Sequence, residues 1–381
     1  KTSYGQASRS EKQVLLDVAV QQTGLHRKSI IRLLGQRVIA RRARTRQRRR
    51  QYSAQVDDAV RQIGRLLNWP CAECLTPALL PTAQHLAAQS RFTLTPELEC
   101  ELAEVSISTV ARILKRVRQD EPRLTTKRGK PRRLKPLESQ VPMQVIPWDV
   151  PTPGYFEMDA VLHIDEHTRG DAAMTIDMTD VHCNWTERIA VYGRSERASC
   201  EAFAELLARC PIPIREVHID NGSEFLNHHL VRFFGEKVVG ATLTRSRPWH
   251  KNDNRYVEHN NGARVRAYVG DCVLERRDQV ALLNALYADL WLYDNFFRPT
   301  QHQVSKEYWS DDQGKRHLRR RHDRACTPLD RLIRSGILPA DEAQALLSLR
   351  ASTDLEALKE RIEQRIKQIY ASTDRTPRGP R

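Results

Sequence analysis

Three acidic residues stand at positions where carboxylates could share one chemistry. Asp159 lies inside the strand-like run Phe156-Glu157-Met158-Asp159, Asp220 ends the run Val217-His218-Ile219-Asp220, and Glu258 closes Lys251-Asn252-Asp253-Asn254-Arg255-Tyr256-Val257-Glu258 on an expected helix. Three carboxylates in one place can bridge and charge-balance two Mg²⁺ ions about 4 Å apart, as metal-activated phosphodiester cleavage requires. Asp177 and Asp180 compete for the first position, although at the end of a second strand they could instead cap a turn. Glu224, four residues past Asp220, reads as a helix-start residue rather than a ligand.

The elements around these residues must bring them together. Runs 155–164, 172–178 and 186–192 read as three strands separated by short Gly-, Asp- or Asn-containing breaks, an antiparallel meander. A helix over 196–210, a strand over 215–219, a helix over 224–234, a strand over 241–244 and a helix over 252–269 follow. The order β-β-β-α-β-α-β-α is that of the ribonuclease H-like fold, in which adjacent strand ends and a neighbouring helix converge. From 278 to 370 the pattern is mainly helical, including 279–293 and 355–370, with a basic segment over 315–324 between them.

Asp159 and Asp220 are 61 positions apart, and Asp220 and Glu258 are 38 apart. Around them stand Asp220-Asn221-Gly222-Ser223-Glu224-Phe225, Thr244-Arg245-Ser246-Arg247-Pro248-Trp249-His250-Lys251-Asn252-Asp253-Asn254 and Asn295-Phe296-Phe297-Arg298-Pro299. The spacing and these strings resemble the D-D-E catalytic core of the retroviral-integrase superfamily and, within it, bacterial insertion-sequence transposases. The resemblance implies DNA 3′-end cleavage and strand transfer with two Mg²⁺ ions, for which Mn²⁺ can substitute. Asp159 and Asp220 would hold the metals and Glu258 would complete the second site. It also implies double-stranded DNA partners, namely terminal inverted repeats and target DNA, and a homo-oligomer assembled on paired ends. Arg245, Arg247, Trp249 and Lys251 are the DNA-contact candidates of the second string, Trp249 either stacking on an unpaired base or packing in a core. Many integrases carry Lys or Arg seven residues past the glutamate, where this chain has Val265; Arg264 and Arg266 flank it and are candidates for the phosphate contact.

Charge is distributed unevenly over the 381 residues. Of the net +15, residues 1–150 supply everything, with 28 Lys and Arg against 13 Asp and Glu, while 151–381 balance 34 against 34. A basic segment joined to a neutral one is what a polyanion-binding region attached to a catalytic region looks like. Within it, 11–35 reads as two short helices around Thr23-Gly24-Leu25, with Val14, Leu15, Val18 and Ala19 on one face and His26, Arg27, Lys28 and Arg32 on the exposed face that could enter a major groove. A structural helical hairpin is the plainer reading of that segment. The run 41–50 holds seven arginines, with Arg48, Arg49 and Arg50 at its end, and reads as a phosphate-tracking linker. A second helix-turn-helix reads at 96–118, with Ser106 as N-cap and Ser108, Thr109 and Arg112 outward. Lys127, Arg128, Arg132 and Arg133 belong to a second basic linker rich in proline.

The expected organisation is therefore a helix-turn-helix domain over 1–40, a linker over 41–52, a second helix-turn-helix domain over 53–120 and a linker over 121–153. An α/β ribonuclease H-like catalytic domain over 154–300 and a basic, mainly helical region over 301–381 complete it. No window approaches 18 uninterrupted apolar residues and no apolar leader opens the chain, so a cytoplasmic, nucleoid-associated protein with no membrane partner is expected. Eight scattered cysteines suggest reduced thiols. Cys71 and Cys74, with Cys100 and His85, make at most half a zinc site and read better as small buried hydrophobes. His163, Asp165 and His167 could share a strand face for metal, but a solvent-facing hairpin edge is the preferred reading. Two functions rival the transposase: a DNA-binding regulator with an inactive nuclease-like domain, and a ribonuclease H-type nuclease without strand transfer.

Overall fold

The computed structural model describes residues 2–35, 51–120, 150–165, 167–193, 196–219, 240–245, 265–310 and 316–373. The chain divides into two compact units, Lys1–Gln51 and Tyr52–Arg381. In the first, α1 (Thr2–Gln6) precedes α2 (Arg9–Thr23) and α3 (Arg27–Gly35). Ser8 and Glu11 form a reciprocal capping box at the start of α2, and Gly24 ends it at φ 66°, a left-handed conformation that costs glycine little. The turn stands where the sequence places it. Leu16 and Ile30 are buried, whereas Val14, Leu15 and Val18 are exposed within this unit. Two short helices have room to bury only one residue each between them, so most of the apolar stripe stays outside.

The second unit is built on a five-stranded sheet. Its strands are β1 (Tyr155–Leu162), β2 (Ala173–Asp180), β3 (Thr186–Tyr192), β4 (Glu216–Ile219) and β5 (Thr242–Arg245), in the order β3-β2-β1-β4-β5. β2 runs antiparallel to both β1 and β3, while β1, β4 and β5 are parallel. An antiparallel meander continued by parallel strands on the other side of β1 is the ribonuclease H-like topology. Helix α8 (Glu196–Arg209) makes the crossover and packs on β3. The sheet face carrying Phe156, Met158, Ile176, Met178, Val217 and Ile219 is buried and apolar. Each such side chain contributes roughly 1.5–3 kcal/mol by leaving water. The expected helix over 224–234, and residues 252–264 of the one expected over 252–269, lie outside the described residues.

Helices complete the unit on both sides in sequence. α4 (Ala54–Leu66), α5 (Ala72–Ala88), α6 (Pro96–Glu104) and α7 (Ile107–Asp120) precede the sheet. α9 (Arg266–Val269), α10 (Arg277–Leu292), a π-helical turn over Tyr293–Phe297, α11 (Pro328–Ser335), α12 (Ala340–Ser352) and α13 (Leu355–Ala371) follow it. In α7, Val110, Ile113, Leu114 and Val117 recur at helical spacing and are all buried. Thr95 caps α6 ahead of Pro96, and Ser106 accepts the Thr109 amide at 3.3 Å. Helices α4–α7, which the sequence presents as a separate segment, share one continuous hydrophobic core with the sheet and with α10 and α13.

Strand β3 is a sheet edge, and its backbone is met by side chains. Asn284 on α10 exchanges hydrogen bonds with both the amide and the carbonyl of Ala190, at 2.7 and 2.9 Å. Asn295 on the π-helical turn does the same to Thr186, at 2.9 Å each. Two amides thus stand in for a missing strand and blunt the edge. The C-terminal region is mainly helical with one departure: the basic segment read between helices forms an antiparallel hairpin of β6 (Gln303–Ser310) and β7 (Arg316–His322). No described helix is long and apolar enough to cross a membrane.

Candidate active site and nucleic-acid contacts

Strand alternation decides what stands beside Asp159. In register, Asp159 on β1 faces Asp177 on β2, which faces Arg188 on β3. Directly opposed residues project to the same face. Glu157, Thr179, Thr186, His218 and Thr244 form the next row of that face. One face of the sheet thus carries these polar side chains, while the other is mainly apolar and also holds Glu187 and Arg245. Asp159 is half-buried and its Oδ1 accepts the Ala160 amide at 2.8 Å. The parallel ladder between β1 and β4 runs to Met158 and Ile219. Asp220 and Glu258 lie outside the described residues.

The charge beside Asp159 is balanced internally. The Arg188 side chain is 2% exposed; its Nε lies 3.4 Å from Asp177 Oδ1, and its terminal nitrogen bonds Asp294 on the π-helical turn. Arg298 approaches the other Asp294 oxygen at 3.3 Å. Burial alone would lower the Arg188 pKa, but the Asp294 and Asp177 carboxylates outweigh it and hold that pKa above the usual arginine value. On the same face, the Thr244 hydroxyl donates to Glu216 at 2.7 Å and accepts from His218 Nδ1 at 2.8 Å. Burial raises the Glu216 carboxyl, and the Thr244 bond only partly offsets this. Neither Arg188 nor Asp294 is a candidate of the sequence reading. The signals are an arginine directly before the apolar Ile189-Ala190-Val191 of a strand-like run and an aspartate immediately before Asn295.

The competing carboxylates take separate roles. Asp180 caps the β2–β3 turn, its Oδ1 accepting the amides of His182 and Cys183 at 3.0 and 2.7 Å and its Oδ2 that of Gly154 at 2.7 Å. Asp177 belongs to the Arg188 ion pair. Asp165 closes a turn by accepting the His167 amide at 2.9 Å and the Thr168 hydroxyl at 3.0 Å. His163 corrects the solvent-facing reading: it is buried, with Nε2 2.8 Å from Thr175 Oγ1, which is itself 2.6 Å from the Tyr287 hydroxyl. Burial, with Arg266 adding to it, lowers His163 to about 4. His85 is 2.9 Å from the Thr353 carbonyl and packs against Phe297. Cys74 is half-buried, and burial beside Cys71 pushes its thiol up to about 12, while Cys71 and Cys100 are exposed. Among the described residues, no three His, Cys, Asp or Glu side chains gather as a metal cage.

The DNA-contact candidates divide likewise. On α3, Lys28 and Arg32 are exposed, whereas Arg27 is half-buried and bonds Asp17 on α2. On α7, Ser108 and Arg112 are exposed and Thr109 is half-buried. Arg112 Nη2 donates to Thr109 Oγ1 at 2.9 Å, and its Nε donates to the Ser108 carbonyl at 3.1 Å. Arg266 is exposed at the start of α9. Arg245 is buried, and as an odd-numbered residue of β5 it projects to the face opposite Asp159. Arg48, Arg49, Arg50, Lys127, Arg128, Arg132, Arg133, Arg247, Trp249, Lys251 and Arg264 lie outside the described residues.

No protein-family model matches the chain. Over 306 residues, 78% of this chain and 84% of the relative, it is 32% identical to Uncharacterized protein y4rM of Sinorhizobium fredii (strain NBRC 101917 / NGR234). Among solved structures, the catalytic core domain of BIV integrase aligns with 48% of this chain and 95% of its own at 17% identity, with a TM-score of 0.31. A likeness of that size carries no weight, and the fold assignment rests on strand order and register.

Proposed function

The chain belongs to the family of the y4rM protein of Sinorhizobium fredii, and from its sheet and its carboxylates we infer that it is a DNA transposase of the D-D-E type. The observation that carries the reading is the register of β1 against β4. Met158 pairs with Ile219, the residues that follow them in sequence are Asp159 and Asp220, and even-numbered residues of β4 share the face of odd-numbered residues of β1. A carboxylate on β1, with a second one next in sequence after the paired end of β4, supports a two-metal phosphodiester site.

Carboxylate oxygens are the hard donors that Mg²⁺ takes, so Asp159, Asp220 and Glu258 fit the ion, and Mn²⁺ can replace it. When bound, the pair of ions supplies Lewis acidity and an activated water at neutral pH. The protein's part is to hold the three carboxylates and keep them charged. Arg188, ion-paired with Asp177 and Asp294, fixes the row beside Asp159 without itself reaching solvent. Arg27, Lys28 and Arg32 on α3 and Ser108, Thr109 and Arg112 on α7 are assigned to double-stranded terminal repeats. The basic runs holding Arg48–Arg50, Lys127, Arg128, Arg132 and Arg133 are assigned to phosphates. Cleavage exposes a 3′-hydroxyl at the element end, which then attacks target DNA within an oligomer on paired ends.

The test uses DNA duplexes selected by binding to the whole protein. Wild type should nick them in Mg²⁺ and join the product to a second duplex, while Asp159→Asn, Asp220→Asn and Glu258→Gln should bind equally and do neither. Cleavage at the wild-type rate by any of the three would falsify the site. Cleavage without joining would leave a nuclease instead.

A further inference from the structure

Strands β6 and β7 pair only with each other, outside the five-stranded sheet. Their register places Ser305, Glu307 and Trp309 with Arg321, Arg319 and His317 on one face, and Tyr308 with Leu318, beside Arg320, on the other. From Glu307 to Ser310 and from Leu318 to His322 every residue is exposed, so neither face covers a core. Tyr308 and Trp309 are 55% and 53% exposed, and the Trp309 ring stacks on His317 with centroids 4.3 Å apart. β7 carries four arginines, two histidines and no carboxylate. Glu307 is the one acidic residue of the two strands, 3.9 Å from Arg321.

A two-stranded ribbon without a buried face is marginal by itself. This one is held at its root. Asp323 exchanges hydrogen bonds with the His302 backbone at 2.7 and 2.9 Å, and Thr300 and Cys326 pair as a bridge below it. Arg331 of α11, 6% exposed, grips both Asp323 oxygens at 3.0 and 3.1 Å and the Thr300 carbonyl at 2.6 Å. A buried arginine with all its bonds made anchors an arm whose remaining length touches solvent.

Adjacent like charges on an exposed strand repel one another and are relieved by a polyanion. A two-stranded β-ribbon has the width that the major groove of duplex DNA admits. With Arg319 and Arg321 on one face and Arg320 on the other, such a ribbon meets phosphates on both walls of a groove through planar donor forks. A membrane surface is disfavoured, because arginine and aromatic side chains share both faces and no apolar side is available to enter an interface. We propose that the β6–β7 hairpin is a DNA-binding arm, contacting backbone phosphates through Arg319, Arg320 and Arg321. The proposal rests on the transposase reading for its partner and adds a contact element that the reading lacked.

The experiment measures binding of the full chain to a random-sequence duplex in EDTA across a salt series, so that cleavage plays no part. Removing one phosphate-binding charge flattens the log–log salt slope by about 0.9. The triple variant Arg319→Gln, Arg320→Gln, Arg321→Gln should show a slope shallower by about one to three, and affinity near 0.15 M salt lower by roughly 10- to 100-fold. Glu307→Gln should tighten binding by roughly two- to five-fold, since it removes the acid that holds Arg321. All four positions are solvent-exposed, so thermal melts should match wild type. An unchanged slope in the folded triple variant overturns the arm, as does a loss confined to single-stranded RNA. If wild type binds no duplex at any salt, the transposase reading falls with it; if wild type binds and the triple variant matches it, the arm alone falls.

Discussion

Arg188 shows how much of a polar sheet face is decided by one buried side chain. It is buried between Asp177 and Asp294, and removing it takes its charge away from Asp177 and from Asp294, which keeps Arg298. Breaking a buried ion pair from one side costs about 3–5 kcal/mol, so Arg188→Met should lower the urea midpoint by that equivalent. Asp159→Asn, at a half-buried position, should shift it far less. His163 supplies a pH signature. Its pKa is about 4 in the fold against 6.5 when unfolded, so between these values the unfolded chain binds the proton and the native chain does not. Stability is therefore lost as pH falls from about 6.5 to about 4, by roughly 2–3 kcal/mol, and is regained on returning to neutrality. His163→Gln should flatten that part of a melting-temperature profile, and a variant with the same slope as wild type would assign the acid sensitivity elsewhere.

At the scale of elements, α7 has one face committed to the core and one outward. Ser106→Ala removes the Thr109 amide's partner and should cost about 1 kcal/mol of stability. Ser108→Ala and Arg112→Ala should instead spare stability and weaken binding to selected ends by about 1–3 kcal/mol each, with little effect on random duplex. Equal losses on both DNAs would make them phosphate contacts. The hairpin root behaves differently from the hairpin itself. Arg331→Met strips Asp323 and the Thr300 carbonyl of buried partners, and a loss of about 2–3 kcal/mol in urea unfolding is expected, with faster amide exchange at Asp323 and Cys326.

Over the larger unit, contacts join segments far apart in sequence. The Tyr293 hydroxyl donates to the Leu66 carbonyl at 2.9 Å, His85 meets the Thr353 carbonyl, Arg91 pairs with Asp354 at 2.8 Å, and Lys359 bonds Asn68. Helices α4–α7 and the C-terminal helices therefore depend on each other. A chain starting at Tyr52 should fold with one cooperative thermal transition, and Tyr293→Phe should lower the stability of all of it by about 1 kcal/mol. Two separated transitions, one for the helices before the sheet and one for the rest, would contradict the shared core.

Local periodicity was enough to read the meander, the Gly24 turn, the Ser106 cap and the placement of Asp159 inside its strand, because each depends on residues within a few positions. Strand alternation is equally local, yet its consequence for Arg245 required knowing which face β5 shares with β1. The Arg188–Asp294 pair spans 106 residues, and nothing in either neighbourhood specifies the other. His163 looked like an edge residue until Thr175 and Tyr287 closed over it. The stripe of Val14, Leu15 and Val18 carried the helical period of a core face, but a period reports orientation and not whether a partner arrives. The hairpin was read only as a basic stretch, since arginines have no strand preference that outweighs their charge. Its strands exist because Arg331, on a later helix, ties their ends together. Sequence by itself determined the elements and the chemical types at their ends; desolvation and long-range pairing, which only the tertiary structure supplies, decided which of those groups are buried, balanced or exposed.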